Sequence, residues 1–182
     1  TDEAAGLRLI QEELAACSAG ENGPALEMLD GGFCRLHLRY LAQTGLTPRT
    51  LQRLFALSAE VPAGSPSALE EKLRRLLSLA REGQLPFSCE ETAQAVSNWR
   101  KAGFPTCRHS EEFRRAYAPA YRVVRREYVR LLPLLAALDR QLEEKKQVIL
   151  ALEGGSAAGK TTLAALLERI CPDSHVFHMD DF

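Results

Sequence analysis

The sequence predicts a mostly α protein in two parts. A helical N-terminal domain occupies residues 1–146, and the first β-α-β unit of a P-loop α/β fold occupies residues 147–182. Three observations predict this division. Up to residue 146, apolar residues recur at steps of three and four between recognisable helix starts and stops. After the charged run Glu143-Glu144-Lys145-Lys146 the composition shifts to a nearly continuous apolar stretch from Gln147 to Leu152. A glycine-rich octet, Gly154–Thr161, then separates that stretch from another amphipathic helix.

The helices follow in order. Residues 2–18 place Leu7, Ile10, Leu14 and Cys17 on one face, and Gly20-Glu21-Asn22-Gly23 ends the pattern. Pro24 suits a first helical position, Gly31-Gly32 breaks or kinks the segment, and helix resumes over 33–44 up to Gly45. Thr47-Pro48 reads as an N-cap followed by a first-turn proline, opening a helix over 48–59. Val61 to Pro66 is a loop. Ser67 with Glu70, and Ser88 with Glu91, have capping-box spacing, and those helices end near Gly83 and Gly103. Finally Phe113, Tyr117, Tyr121, Val124, Tyr128, Leu131, Leu135, Leu138 and Leu142 form one helical stripe. Pro119 and Pro133 divide it into two or three helices or kink it.

Composition narrows the classes. With 46% apolar and 26% charged residues in 182, the chain matches an ordinary globule rather than a disordered segment. Its longest apolar run, Leu131 to Leu138, contains a proline and falls short of the roughly 20 residues of a membrane span. Thr1-Asp2-Glu3 does not read as a signal peptide. Five scattered cysteines with no C-x-x-C pair suit a reduced, cytoplasmic chain without a zinc site. A net charge of −1 makes no global case for nucleic acid.

The octet Gly154-Gly155-Ser156-Ala157-Ala158-Gly159-Lys160-Thr161 fits G-x-x-x-x-G-K-[ST]. Small residues let the backbone wrap a phosphate, with successive N–H groups pointing inward and a helix N-terminus adding positive dipole. Lys160 reaches the β- and γ-phosphates of ATP, Thr161 offers its hydroxyl to Mg²⁺, and Thr162 contacts the α-phosphate. Both flanks suit this role: a buried-type strand over 147–152 precedes the octet. A helix carrying Leu163, Leu166, Leu167 and Ile170 on one face follows and stops at Pro172. His175-Val176-Phe177-His178-Met179 reads as a second parallel strand. Its carboxyl end, Asp180-Asp181-Phe182, falls where doubly wound sheets place ligands.

The run Gly154–Thr162, followed 20 residues after the lysine by Asp180-Asp181-Phe182, resembles the start of a uridine kinase-like protein. That branch of the P-loop α/β kinase fold also contains phosphoribulokinase and bacterial pantothenate kinase. The resemblance covers residues 147–182 and implies ATP- and Mg²⁺-dependent phosphorylation of a hydroxyl on a small molecule. It maps Asp180 onto the acidic residue that contacts the acceptor hydroxyl, as base and metal-side carboxylate, and Phe182 onto the aromatic. Asp181 departs from the small or polar residue usual there, which points to a substrate other than uridine. The stretch Ala116–Arg122 is similar to one in bacterial proteins of this kind that carry a helical extension.

Two N-terminal features carry alternatives. Residues 41–55 resemble a helix-turn-helix, with Gly45 at the turn and Leu51 inward, but Leu41 stands where a small residue belongs. An ordinary capped helix hairpin accounts for the same pattern. Residues 100–130 hold nine Lys/Arg against three acids, with aromatics interleaved. The aromatics lie on the helical stripe and are expected in the core. The arginines are then a solvated face, an anion or docking surface, or a nucleic-acid surface. Small-molecule kinase is the expected function, with ATP and a hydroxyl acceptor as partners and no nucleic acid or membrane. A nucleotide-gated regulatory module is the alternative. The chain is also expected to be an inactive leading portion of a longer enzyme, with 147–182 weakly ordered or packed on the helices or on another copy.

Overall fold

A computed structural model describes residues 3–17, 24–60, 64–105 and 109–179. In chain order the elements are α1 (Glu3–Ala16), β1 (Leu26–Met28), β2 (Phe33–His37), α2 (Arg39–Thr44), α3 (Pro48–Ala59), α4 (Pro66–Arg81), α5 (Cys89–Lys101), α6 (Glu111–Tyr117), β3 (Tyr121–Arg125), α7 (Leu132–Glu144) and α8 (Lys160–Ile170). The protein is mostly helical, with one small antiparallel sheet in the order β1-β2-β3. It forms two compact units, one of residues 1–61 with 119–182 and one of residues 62–118. α8 shares a unit with the first three helices. No described helix is long and apolar enough to cross a membrane.

In the first unit α3 is the central element. Thr47 caps it, accepting from the Thr50 amide, and Pro48 opens its first turn. Asp139 of α7 reinforces that start, accepting from the Thr47 amide at 2.7 Å and from the Thr50 hydroxyl at 2.9 Å. Along its length α3 buries Leu51, Leu54 and Leu57 against α1, β3 and α8. Its Ser58 hydroxyl donates to Leu54 O at 2.6 Å and accepts the Arg125 amide at 2.9 Å, which closes the outer edge of β3. α1 approaches closely because Gly6 has no side chain: a Cβ there would lie 2.5 Å from Gln52 Nε2. The sheet turns Cys34, Leu36 and Val124 to this core, all fully buried.

The sheet corrects two expected helices. Residues 33–37 form β2, not the start of a helix over 33–44, and only 39–44 are helical. Their burial alternates residue by residue, so period two wins, and Gly31-Gly32 make the β1–β2 hairpin turn at positive φ. Pro24 precedes a strand rather than opening a helix. Likewise the stripe from Phe113 to Leu142 is not one helical face. Pro119 cannot donate, Ala118 before it turns left-handed at φ 36°, and the chain resumes as β3. Tyr128, Leu132 and Leu135 do reach the core, whereas Tyr117 of α6 is exposed.

The second unit pairs α4 with α5. Ser65, not Ser67, caps α4, because Pro66 fixes the first-turn φ one residue after it. Ser88 and Glu91 form the expected capping box of α5. Gly83 and Gly103 close α4 and α5 with the paired C-terminal bonds Gly83 N–H to Ala80 O, Gln84 N–H to Leu79 O, Gly103 N–H to Arg100 O and Phe104 N–H to Trp99 O. Arg100 grips Glu70 through Nε at 3.2 Å and Nη2 at 2.7 Å.

Candidate functional site

The glycine-rich loop enters α8 directly. Gly159 is the N-cap in a left-handed conformation at φ 82°, and Lys160 is the first helical residue. Nothing lies within 4 Å of a Cβ built on Gly159, so the backbone angle, not space, favours glycine there. Ala157 is also left-handed at φ 59°, while Ser156, Ala158 and Lys160 have negative φ. Alternation of this kind is the backbone pattern from which anion-binding concavities are built. The Lys160 ammonium folds back over the loop and donates to Gly154 O and Gly155 O, both at 2.8 Å. Ala158 N–H donates to Gly155 O at 3.3 Å and completes the turn.

The first turn of α8 has no side-chain cap, unlike α3, α4, α5 and α6, which Thr47, Ser65, Ser88 and Ser110 cap. The amides of Lys160, Thr161 and Thr162 precede the first intrahelical bond, from Leu163 N–H to Gly159 O. Thr161 and Thr162 are exposed beside them. The far end of α8 is held firmly. Leu167 and Ile170 are in the core, Arg53 Nε donates to Arg169 O at 2.8 Å, and Arg169 pairs with Glu60 at 2.6 Å.

The expected strands on either side are not formed. Among the described residues, 147–152 and 175–178 join no ladder. Val148, Leu152 and Val176 are half-buried, while Ile149 is 90% and Phe177 77% exposed. β-branched composition gives an extended chain only marginal stability until a neighbouring strand accepts its amides, and no described strand stands alongside. Asp180, Asp181 and Phe182 lie outside the described residues. Thus Gly154, Gly155, Ser156, Ala157, Ala158, Gly159, Lys160, Thr161 and Thr162 are brought together, and the relation of Asp180 to them is not described. Among the described residues no group of three or more His, Cys, Asp or Glu is placed to hold a metal ion. A recess of about 380 Å³ in the second unit is lined by Ser65, Pro66, Leu69, Glu70 and Phe104, and by none of the loop residues.

Sequence reasoning missed the supports of this site: Arg53, Glu60 and Asp139. Nothing local marks them, since each acts on a residue about 90 or more positions away. It also missed the outward sheet face of Arg35, His37 and Tyr121, because the segments that carry it were assigned to helices. No family model, curated protein or solved structure matches the chain.

Proposed function

We propose that this chain carries the ATP-binding loop of a Mg²⁺-dependent small-molecule kinase of the uridine kinase-like kind. The observation that carries the reading is the folded loop itself: alternating backbone angles at 156–160, with Lys160 spanning the loop carbonyls at the uncapped start of α8. In this reading the amides of Gly155 to Thr162 surround the ATP phosphates. Lys160 leaves the carbonyls of Gly154 and Gly155 for the β- and γ-phosphate oxygens. Thr161 would hold Mg²⁺, which supplies charge neutralisation when bound with ATP. Its exposed hydroxyl one residue after Lys160 fits that role, and carboxylate ligands must then come from beyond the described residues. The acceptor oxygen attacks the γ-phosphorus in line, the bond to the β–γ bridging oxygen breaks, ADP leaves, and Asp180 takes the acceptor proton.

The test is titration of a fluorescent ATP analogue into the chain with Mg²⁺. Saturable binding is expected, at least tenfold weaker in Lys160→Ala, with thermal unfolding unchanged in that variant. Equal binding by Lys160→Ala would remove the loop from the site. The nucleotide-gated module remains the second reading, favoured by the packing of α8 on α3, which links the loop to the helical core. Transfer of label from γ-labelled ATP to a panel of hydroxyl acceptors separates the two.

A further inference from the structure

The glycine-rich loop stands at the free end of a lever. α8 buries Leu167 and Ile170, and both lie in its last turn. Toward the loop the burial thins: Leu163 and Leu166 are partly buried, and Thr161 and Thr162 are exposed. Apolar contact is non-directional, so it presses the far end of α8 onto the core without fixing its tilt or rotation. Directional bonds can fix both, and they converge on one residue. Arg53 Nε donates to Arg169 O at 2.8 Å, and Arg169 Nη2 donates to Glu60 Oε2 at 2.6 Å. Arg53 lies inside α3 and Glu60 is its C-cap, about 10 Å further along the axis. Arg169 is thus gripped at its main chain and at its side chain from two separate points on α3. Lys160 begins α8, about 13 Å from Arg169. Over that arm a tilt of about 5° moves the first turn by about 1 Å, and a binding constellation tolerates only about 0.5 Å.

We propose that Arg53 and Glu60 are positioning residues for the loop: through Arg169 they set the tilt and rotation of α8, and so aim Lys160 and the first-turn amides at the phosphates. This rests on the reading of the loop as an ATP site and assigns the residues that aim it. The grip adds little to folding, because the Arg169 and Glu60 side chains are both exposed and an exposed ion pair is weak. Its effect falls instead on the fraction of folded chains whose loop is in the binding geometry. Apparent affinity scales with that fraction. Global stability does not enter, since well below its Tm nearly every chain is folded. Affinity and stability therefore respond separately to changes at Arg53 and Glu60.

The experiment is titration of a fluorescent ATP analogue with Mg²⁺ into the full chain and its variants, with a thermal unfolding curve for each. Arg53→Gln and Glu60→Gln should each weaken binding about three- to fivefold, while Tm falls by about 3 °C or less. Glu60→Arg should weaken it at least as much. Adding Arg169→Glu to Glu60→Arg rebuilds the ion pair in reverse, and should bring affinity back to within about twofold of the parent. Ser58→Ala, on α3 but bonded to β3, should lower Tm and leave affinity unchanged. The proposal is overturned if both glutamine variants bind as the parent, if the reversed pair binds no better than Glu60→Arg alone, or if Ser58→Ala weakens binding equally. A parent without saturable binding removes the ATP reading, and this proposal with it. A parent that binds, matched by both glutamine variants, removes this proposal alone.

Discussion

Asp139→Ala should be the most damaging single polar substitution in the first unit. Asp139 is half-buried on α7 and holds two donors at the start of α3, the Thr47 amide at 2.7 Å and the Thr50 hydroxyl at 2.9 Å. A hydrogen bond to a charged acceptor contributes about 1.5–3 kcal/mol, and a carboxylate at a helix N-terminus about 0.3–1 kcal/mol more. Water can enter the partly open site and recover some of this. The expected cost is therefore about 2–4 kcal/mol, or roughly 6–12 °C in Tm for a chain of this size. Asp139→Asn keeps one acceptor oxygen without the charge and should cost about 1 kcal/mol. Asp173→Ala is the comparison, because its pair with Arg49 is 3.6 Å long and highly exposed, and it should change stability by less than about 0.5 kcal/mol. Urea unfolding followed by circular dichroism measures all three. If Asp139→Ala lies within about 0.5 kcal/mol of the parent, the two bonds do not brace α3 and the reasoning fails.

Other substitutions probe the rest of the unit. Ser58→Ala leaves the Arg125 amide at the β3 edge without its acceptor, and should cost about 1–3 kcal/mol by urea unfolding. Gly159→Ala should weaken nucleotide binding and cost about 1–2 kcal/mol through backbone strain, since φ there is 82° and no atom obstructs the methyl group. Equal nucleotide titrations for Gly159→Ala and the parent would contradict that. Burial, then the charges of Arg39 and Arg35, lower the pKa of His37 despite the attraction of Glu27. The unfolded chain therefore takes up this proton first, so stability is full above pH about 6.5 and falls as pH drops from there toward the lowered folded value. His37→Gln should flatten that part of the stability curve between pH 7 and 5, and an unchanged slope would exclude His37 as its source.

Local signals in the sequence located what local chemistry fixes. The capped starts at Thr47 and Ser88, the C-terminal closures at Gly83 and Gly103, and the α8 stripe of Leu163, Leu166, Leu167 and Ile170 all depend on neighbours within a few residues. The sheet did not show itself for the opposite reason. Phe33 to His37 alternate over only five residues, and apolar residues at 34, 36, 38 and 41 also satisfy helical spacing in part. Tyr121 and Val124 fit a step of three as well as they fit the ends of β3, and only pairing with β2, some 90 residues away, selects the strand. Ser65 lost to Ser67 because two serines precede the same helix and only the position of Pro66 decides between them. The loop was legible as a motif, since glycine and lysine at fixed spacing act over a few residues. Its supports were not, because Arg53, Glu60 and Asp139 gain their roles only when α3 meets α7 and α8.

Those supports bear on what the loop can do. A phosphate loop needs a helix start that stays in place when an anion pulls on it. In α8 the restraint sits at the other end, where Leu167 and Ile170 enter the core and Arg53 caps the Arg169 carbonyl. A cation at the C-terminal carbonyls and a phosphate at the N-terminal amides complement the same helix dipole from both ends. α3 thus gives α8 the backing that a sheet gives elsewhere, and α3 is itself braced by Asp139. The order of support runs from α7 through α3 to α8 and Lys160, so a nucleotide bound at the loop, as proposed, would be linked to the integrity of the core. At 100 times its Kd, a nucleotide that binds only the folded chain adds about 2.7 kcal/mol of stability. It should therefore restore most of what Asp139→Ala removes, and at the same concentration restore no more than about 1.4 kcal/mol in the double variant that also carries Lys160→Ala, which binds at least tenfold more weakly. Equal restoration in both would mean that the stabilising ligand sits somewhere other than this loop.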